Sequence, residues 1–82
     1  MARFSVYILK SLKTGWLYTG QTNDLVKRLE RHNNNEMNAT KNRGPFIIAY
    51  YEEYLTRSEA MKREGFLKSG KGRLVRDSLT EK

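Results

Sequence analysis

The longest unbroken apolar run in the chain, Phe46-Ile47-Ile48-Ala49-Tyr50-Tyr51, does most to limit what the chain can fold into. Six residues rich in β-branched and aromatic side chains read as a strand. They are far fewer than the roughly 20 that a membrane-crossing helix needs. The run follows Gly44-Pro45, and its continuous apolarity predicts the best-buried strand of a sheet. A strand needs partners, and here they must come from a chain of 82 residues with no cysteine. Disulfide staples and cysteine-based zinc sites are thereby excluded, and one small domain over residues 1–82 is expected. The missing cysteines also fit a reducing cytoplasm. The apolar stretch Phe4–Leu9 is too short for the core of a signal peptide and has no small-residue cleavage site after it.

The partners are legible nearby. Residues 3–10 alternate, with Phe4, Val6 and Ile8 on one face and Ser5, Tyr7 and Leu9 on the other, a strand pattern. Ser11-Leu12-Lys13-Thr14-Gly15 reads as a turn, and Trp16-Leu17-Tyr18-Thr19-Gly20 as the antiparallel return. Thr22-Asn23-Asp24 offers N-caps for a helix over about 23–33, whose Leu25, Val26 and Leu29 recur at helical spacing. That helix ends in Asn33-Asn34-Asn35, where asparagine tolerates a left-handed cap. Residues 34–44 are polar and irregular. Thr56-Arg57-Ser58-Glu59 matches a capping box, so a second helix starts near Arg57 and turns Ala60, Met61 and Leu67 inward. Ser69-Gly70 ends it, and a last basic helix over about 71–80 packs through Leu74, Val75 and Leu79. The order β-β-α-β-α-α predicts an α+β fold, with helices layered on a small antiparallel sheet.

Sixteen Lys and Arg against nine Asp and Glu leave a formal charge of +7. On so small a domain this favours a polyanionic partner, nucleic acid being the commonest, over a basic surface kept for solubility. Glu64 lies about 40° from Ala60 and 60° from Leu67 on a helical wheel, inside the inward arc. A carboxylate there asks to be paired, protonated or bound to a metal. A salt bridge to Arg63, Lys68 or another basic neighbour would satisfy it. So would Mg²⁺, which one carboxylate can hold with water and phosphate. Arg28 and His32, four apart, share one side of the first helix at the edge of its apolar stripe. Arginine suits phosphate, and a histidine beside it can donate to an oxyanion or relay a proton. A solvated arginine and a histidine held by the helix dipole are the plainer readings. Tyr7 and Tyr18 lie on the two arms of the hairpin. An even loop sets them face to face, and an odd one sets them on opposite faces. A tyrosine serves as a base only if a metal, a cation or an accepting neighbour lowers its pKa from about 10. His32 is the only histidine, so a histidine-rich metal site is excluded. No Walker-type lysine loop or Gly-x-Ser-x-Gly elbow occurs, and no small-molecule cofactor is expected.

Taken in order, these residues resemble the GIY-YIG nuclease superfamily, in particular its small single-domain bacterial members. Val6-Tyr7-Ile8 and Tyr18-Thr19-Gly20 stand where the two family triplets stand, followed by Arg28 and His32-Asn33. Thr40-Lys41-Asn42-Arg43-Gly44-Pro45 is similar to the segment before the family's third strand, and Lys62-Arg63-Glu64 to its glutamate helix. The likeness runs from about residue 4 to residue 76. It implies a three-stranded antiparallel sheet flanked by helices and metal-dependent hydrolysis of DNA phosphodiesters. Glu64 would then hold one Mg²⁺ or Mn²⁺ and Arg28 the scissile phosphate, while Tyr7 or Tyr18 activates water directly or through His32. The first triplet lacks its glycine and the second has threonine for isoleucine. The asparagine some members carry after the glutamate helix is also missing. A different function on the same surface is a catalytically idle nucleic-acid-binding protein, or a subunit whose protein partner supplies specificity. Lys41, Arg43, Lys68, Lys71, Arg73 and Arg76 would bind the phosphates, in a salt-sensitive way.

Overall fold

Eight residues of β1, Phe4–Ser11, form the middle strand of a three-stranded antiparallel sheet in the order β2-β1-β3. The computed structural model describes residues 3–81. The other strands are β2, Leu17–Thr22, and β3, Phe46–Tyr54. Three helices flank them: α1 Leu25–Asn33, α2 Arg57–Lys68 and α3 Gly70–Thr80, with a short 3-10 turn at Asn38–Thr40. The expected β-β-α-β-α-α order is borne out. No helix among the described residues is long and apolar enough to cross a membrane.

Alternation along β1 divides the interior in two. Val6 and Ile8 meet Ala60 and Leu67 of α2, with Val75 and Leu79 of α3 packed behind. Tyr7 and Leu9 face the other way, onto Phe46, with Leu25 and Leu29 of α1 packed against them. Each apolar side chain so removed from water contributes roughly 1.5–3 kcal/mol.

The apolar run over 46–51 is not the best-buried strand; that is β1. β3 lies at a sheet edge, and Ile47 and Tyr51 are exposed. Its continuous apolarity has another cause. Ile8 pairs with Tyr50 but Leu9 pairs with Ile48, so Ala49 is an extra residue and β3 is bulged there. Before the bulge Phe46 and Ile48 serve the Tyr7 face, and after it Tyr50 and Tyr54 serve the Val6 face. One strand supplies both cores, which erases the alternation. Between Tyr50 and Tyr54, Glu52 accepts from both hydroxyls at 2.6 and 2.5 Å and from Arg63 Nε at 2.6 Å. Burial pushes the Glu52 carboxyl up, but these hydrogen bonds outweigh it and hold it below the usual carboxylate range.

The helix ends follow local chemistry. Asp24 caps α1 by accepting from Lys27 N. At the other end Asn34 is the C-cap without a left-handed backbone, and Asn35 takes the positive φ of 61°. Thr56 accepts from Glu59 N, but its hydroxyl also donates to Glu59 Oε1 at 3.0 Å, so the box lacks its usual return bond from the carboxylate to a backbone amide. Ser69 closes α2 and caps α3, accepting from Gly72 N. A Cβ on Gly72 would sit 1.6 Å from the Phe66 carbonyl oxygen, so only glycine lets α3 start so close to α2. Three expected core residues are instead exposed: Val26 at 69%, Met61 at 55% and Leu74 at 76%. The sheet is too small to cover more than one narrow stripe of each helix.

Candidate active site

The loop joining β1 to β2 spans six residues between the Lys10–Leu17 pair, an even number. Tyr7 and Tyr18 therefore share a face. They are diagonal neighbours, because Tyr7 pairs with Gly20 and Tyr18 with Leu9. Their ring centroids are 6.4 Å apart. Tyr7 lies across the backbone of Gly20, where a Cβ would come 2.6 Å from the phenol oxygen. The glycine is a requirement of space here.

His32 stands in the last turn of α1 and is fully buried, so its side chain points into the interior and not out toward a groove. Tyr18 stands 5.2 Å from it, centroid to centroid. Nε2 of His32 is 3.0 Å from the Tyr7 hydroxyl, and Nδ1 is 2.7 Å from the Thr40 hydroxyl. Burial, then the charges of Arg28 and Arg31, push the imidazole below its ordinary value of 6.5 and keep it neutral. Thr40, itself fully buried, arrives on the 3-10 turn. Its role was not legible: a threonine in a polar linker reads as solvent-facing until the turn folds it back onto α1.

His32 is the expected residue that meets the Tyr7 hydroxyl directly. Burial, then Tyr18, push the phenol pKa up to about 12, with Glu64 adding to the rise, while the Arg28 guanidinium pulls the other way by charge. A tyrosine base needs a lowered pKa, and here burial outweighs the Arg28 cation, so the resting phenol is neutral. Glu64 is half-buried and pairs with Lys68 Nζ at 2.8 Å, as the salt-bridge alternative anticipated. Lys68 in turn lies 5.7 Å above the Tyr18 ring. α2 covers the opposite face of the sheet, yet through Lys68, which lies over the Tyr18 ring, it brings the Glu64 pair beside Tyr18. Among the described residues no carboxylate pairs with Arg28, which lines a small cavity of about 150 Å³ with Lys27 and Arg31.

No group of three His, Cys, Asp or Glu able to hold a metal occurs among the described residues. The donor set is one carboxylate with basic and phenolic neighbours. That fits a hard cation that keeps most of its water, such as Mg²⁺, and does not fit a cage of three or four protein ligands.

The expected phosphate-binding residues divide. Lys68 joins the centre. Arg43 stacks 4.5 Å above the Trp16 ring, and Arg73 and Arg76 line a cavity of about 490 Å³ with Gly15, Trp16 and Leu17. Arg43 is held there because its carbonyl accepts from Ser11 Oγ at 2.7 Å. Arg76 is partly engaged by Asp77 at 3.0 Å. Lys41 and Lys71 are exposed and lie outside both groups. Trp16, which links this groove to Tyr18 at 6.1 Å between ring centroids, drew no notice in the sequence because a lone strand aromatic carries no pattern.

A family profile for the GIY-YIG catalytic domain matches residues 3–76. A UPF0213 protein of Staphylococcus saprophyticus is 43% identical over 70 residues, covering 84% of each chain. A UPF0213 protein of Clostridium perfringens is 45% identical over 64 residues, 77% of this chain and 68% of its own. Among solved structures, the solution NMR structure of the UPF0213 protein BH0048 from Bacillus halodurans superposes with a TM-score of 0.56 at 31% identity. It covers 94% of this chain and 84% of that one.

Proposed function

The chain belongs to the GIY-YIG catalytic domain family, and on that premise we propose that it is a metal-dependent DNA endonuclease centred on Tyr7, Tyr18, Arg28, His32 and Glu64. One observation carries the reading. His32 of α1 lies 3.0 Å from the Tyr7 hydroxyl, Tyr18 of β2 lies beside the Tyr7 ring, and Lys68 of α2, paired with Glu64, lies over the Tyr18 ring, with the Arg28 charge felt at Tyr7. Packing alone would have favoured apolar groups there, because each buried polar atom has to be matched.

Arg28, which pairs with no carboxylate among the described residues, grips the non-bridging oxygens of the scissile phosphate. Glu64 would hold one Mg²⁺ or Mn²⁺, which when bound would supply positive charge against that growing on the phosphate and favour ionisation of water. Lys68, which neutralises Glu64 in the resting protein, finds a second anionic partner in the substrate. The attacking water gives its proton to the Tyr7 oxygen as the Tyr7 proton passes to His32 Nε2. Because the phenol pKa is pushed up to about 12, this concerted hand-over is favoured over a free phenolate. The water oxygen bonds to phosphorus, and the bond from phosphorus to a sugar oxygen breaks. That oxygen leaves with a solvent proton. Tyr18 walls the water in beside Tyr7. Arg43, Arg73 and Arg76 hold flanking phosphates.

The test uses supercoiled plasmid and labelled branched DNA with Mg²⁺, with Mn²⁺ and with chelator. Metal-dependent nicking is expected, lost in Glu64→Ala and strongly reduced in Arg28→Ala. Binding without cutting, across both metals and both substrates, would overturn the nuclease in favour of an idle DNA-binding protein.

A further inference from the structure

Thr40 lies outside the five residues given roles above, yet it makes the shorter of the two hydrogen bonds to the only histidine. We propose that Thr40 is a positioning residue. Its hydroxyl accepts from Nδ1–H of His32 and so fixes the tautomer in which Nε2 presents a lone pair to the Tyr7 hydroxyl. The inference rests on the nuclease reading for its consequence, and on hydrogen-bond accounting for its geometry.

A phenol carries one proton and must place it when buried. Tyr7 is 1% exposed, and the Arg28 guanidinium acts on its phenol by charge. Guanidinium has no lone pair to accept with. Among the described residues, the acceptor in hydrogen-bond reach of this hydroxyl is Nε2 of His32 at 3.0 Å. Placing the proton there requires Nε2 to be bare. A neutral imidazole then carries its hydrogen on Nδ1, and 2.7 Å away stands Thr40 Oγ1. The threonine proton completes the chain by pointing to the Met37 carbonyl at 3.5 Å. Every hydrogen in the series Tyr7, His32, Thr40, Met37 has an acceptor.

The opposite tautomer fails the same count. With the hydrogen on Nε2, His32 would donate to the Tyr7 oxygen, and the buried phenol proton would have no acceptor in reach among the described residues. The Thr40 hydroxyl could supply Nδ1, but nothing would relieve the orphan at Tyr7. In the resting protein Tyr7, His32 and Thr40 are each exposed by 1% or less, so bulk water does not correct the mismatch. The attacking water of the proposed reaction enters with the substrate.

The consequence is kinetic. In the assigned tautomer Nε2 can take the Tyr7 proton as the phenol takes one from water. The imidazolium so formed keeps both its hydrogens bonded, one to Tyr7 and one to Thr40. In the other tautomer that hand-over is blocked at its first step.

His32 is the sole histidine, so its two ring nitrogens give unambiguous signals in a long-range ¹H–¹⁵N correlation spectrum. At neutral pH the expected result is a protonated Nδ1 and a bare Nε2. Thr40→Val, which swaps the hydroxyl for a methyl, should shift the population toward Nε2–H or a mixture. Thr40→Ser should restore it. In nicking assays Thr40→Val should lower kcat roughly ten- to a hundred-fold with KM little changed, part of the about 10²–10⁴-fold that positioned acid–base groups contribute. Thr40→Ser should recover most of it. A wild-type spectrum with Nε2–H overturns the proposal and needs no variant to fold. An unchanged tautomer in folded Thr40→Val overturns it as well. The spectrum does not depend on cutting, so a wild-type protein that fails to nick would count against the nuclease and leave the tautomer assignment intact.

Discussion

Val6 and Ile8 point from β1 toward Ala60 and Leu67, while Tyr7 and Leu9, each one residue along, point toward His32 and Phe46. All four β1 side chains are buried to 1% exposure or less, so burial does not distinguish the two faces. Chemistry does. The first face is apolar contact, whose energy depends on area and fit. On the second, a phenol, an imidazole and a threonine hydroxyl are buried in a hydrogen-bonded series. A group there contributes only while its neighbour is in place, because a buried polar atom left unpaired costs about 1–3 kcal/mol. The strand carries the scaffold on its even positions and the candidate chemistry on its odd ones.

The largest effect that can break this division is expected on the apolar face. Leu67→Ala should cost about 2–5 kcal/mol in chemical denaturation, as a buried large-to-small change does. Any drop in nicking should then follow the folded fraction. A loss of cutting in fully folded Leu67→Ala would mean the faces are coupled.

Gly20→Ala sharpens the other side. The added Cβ would meet the Tyr7 oxygen at 2.6 Å and displace the ring. Destabilisation of about 1–3 kcal/mol is expected from overpacking, with nicking lost beyond what unfolding explains. Gly65→Ala is its control. Gly65 is an exposed α2 position with nothing within 4 Å of the new methyl, and the change should stabilise by about 0.5–1 kcal/mol.

The two faces should also separate in pH. The depressed folded pKa of His32 means that the unfolded chain takes up a proton the folded one refuses. Its contribution is present above 6.5 and is lost as pH falls from there toward the folded value. Glu52, beside the apolar face, is depressed too, and its contribution is present above 4.5 and lost as pH falls through its own folded value. Stability against pH should thus show two acid limbs. Glu52→Gln should remove the lower one alone, and loss of both limbs in that variant would contradict the assignment.

Much of the division was legible in the sequence. The alternation of Phe4–Leu9 gave both faces, and Asp24, Thr56 and Ser69 fixed the helix ends through local hydrogen bonds. Two things were not legible, and both are non-local. The bulge at Ala49 follows from pairing with β1, so the run over 46–51 looked like one buried strand instead of an edge strand serving two cores. Thr40 joins His32 only because a turn of 3-10 helix returns the linker to α1. Glu64 could be singled out from its helix position, whereas Arg28 and the two tyrosines were named chiefly through the family resemblance, and the tyrosines' diagonal register depended on the loop closing on six residues. Leu74 and Met61 were assigned inward on periodicity, which says nothing of how wide a stripe the sheet can cover.

The most direct measurement is metal-dependent nicking of supercoiled DNA by Tyr7→Phe, with the variant's fold checked by denaturation. The ring is kept and only the hydroxyl that meets His32 Nε2 is removed. The wild type should nick with Mg²⁺ and stop with chelator, and the folded variant should be slower by about 10² or more. A folded Tyr7→Phe that nicks at the wild-type rate would contradict the claim that the odd face of β1 holds the chemistry.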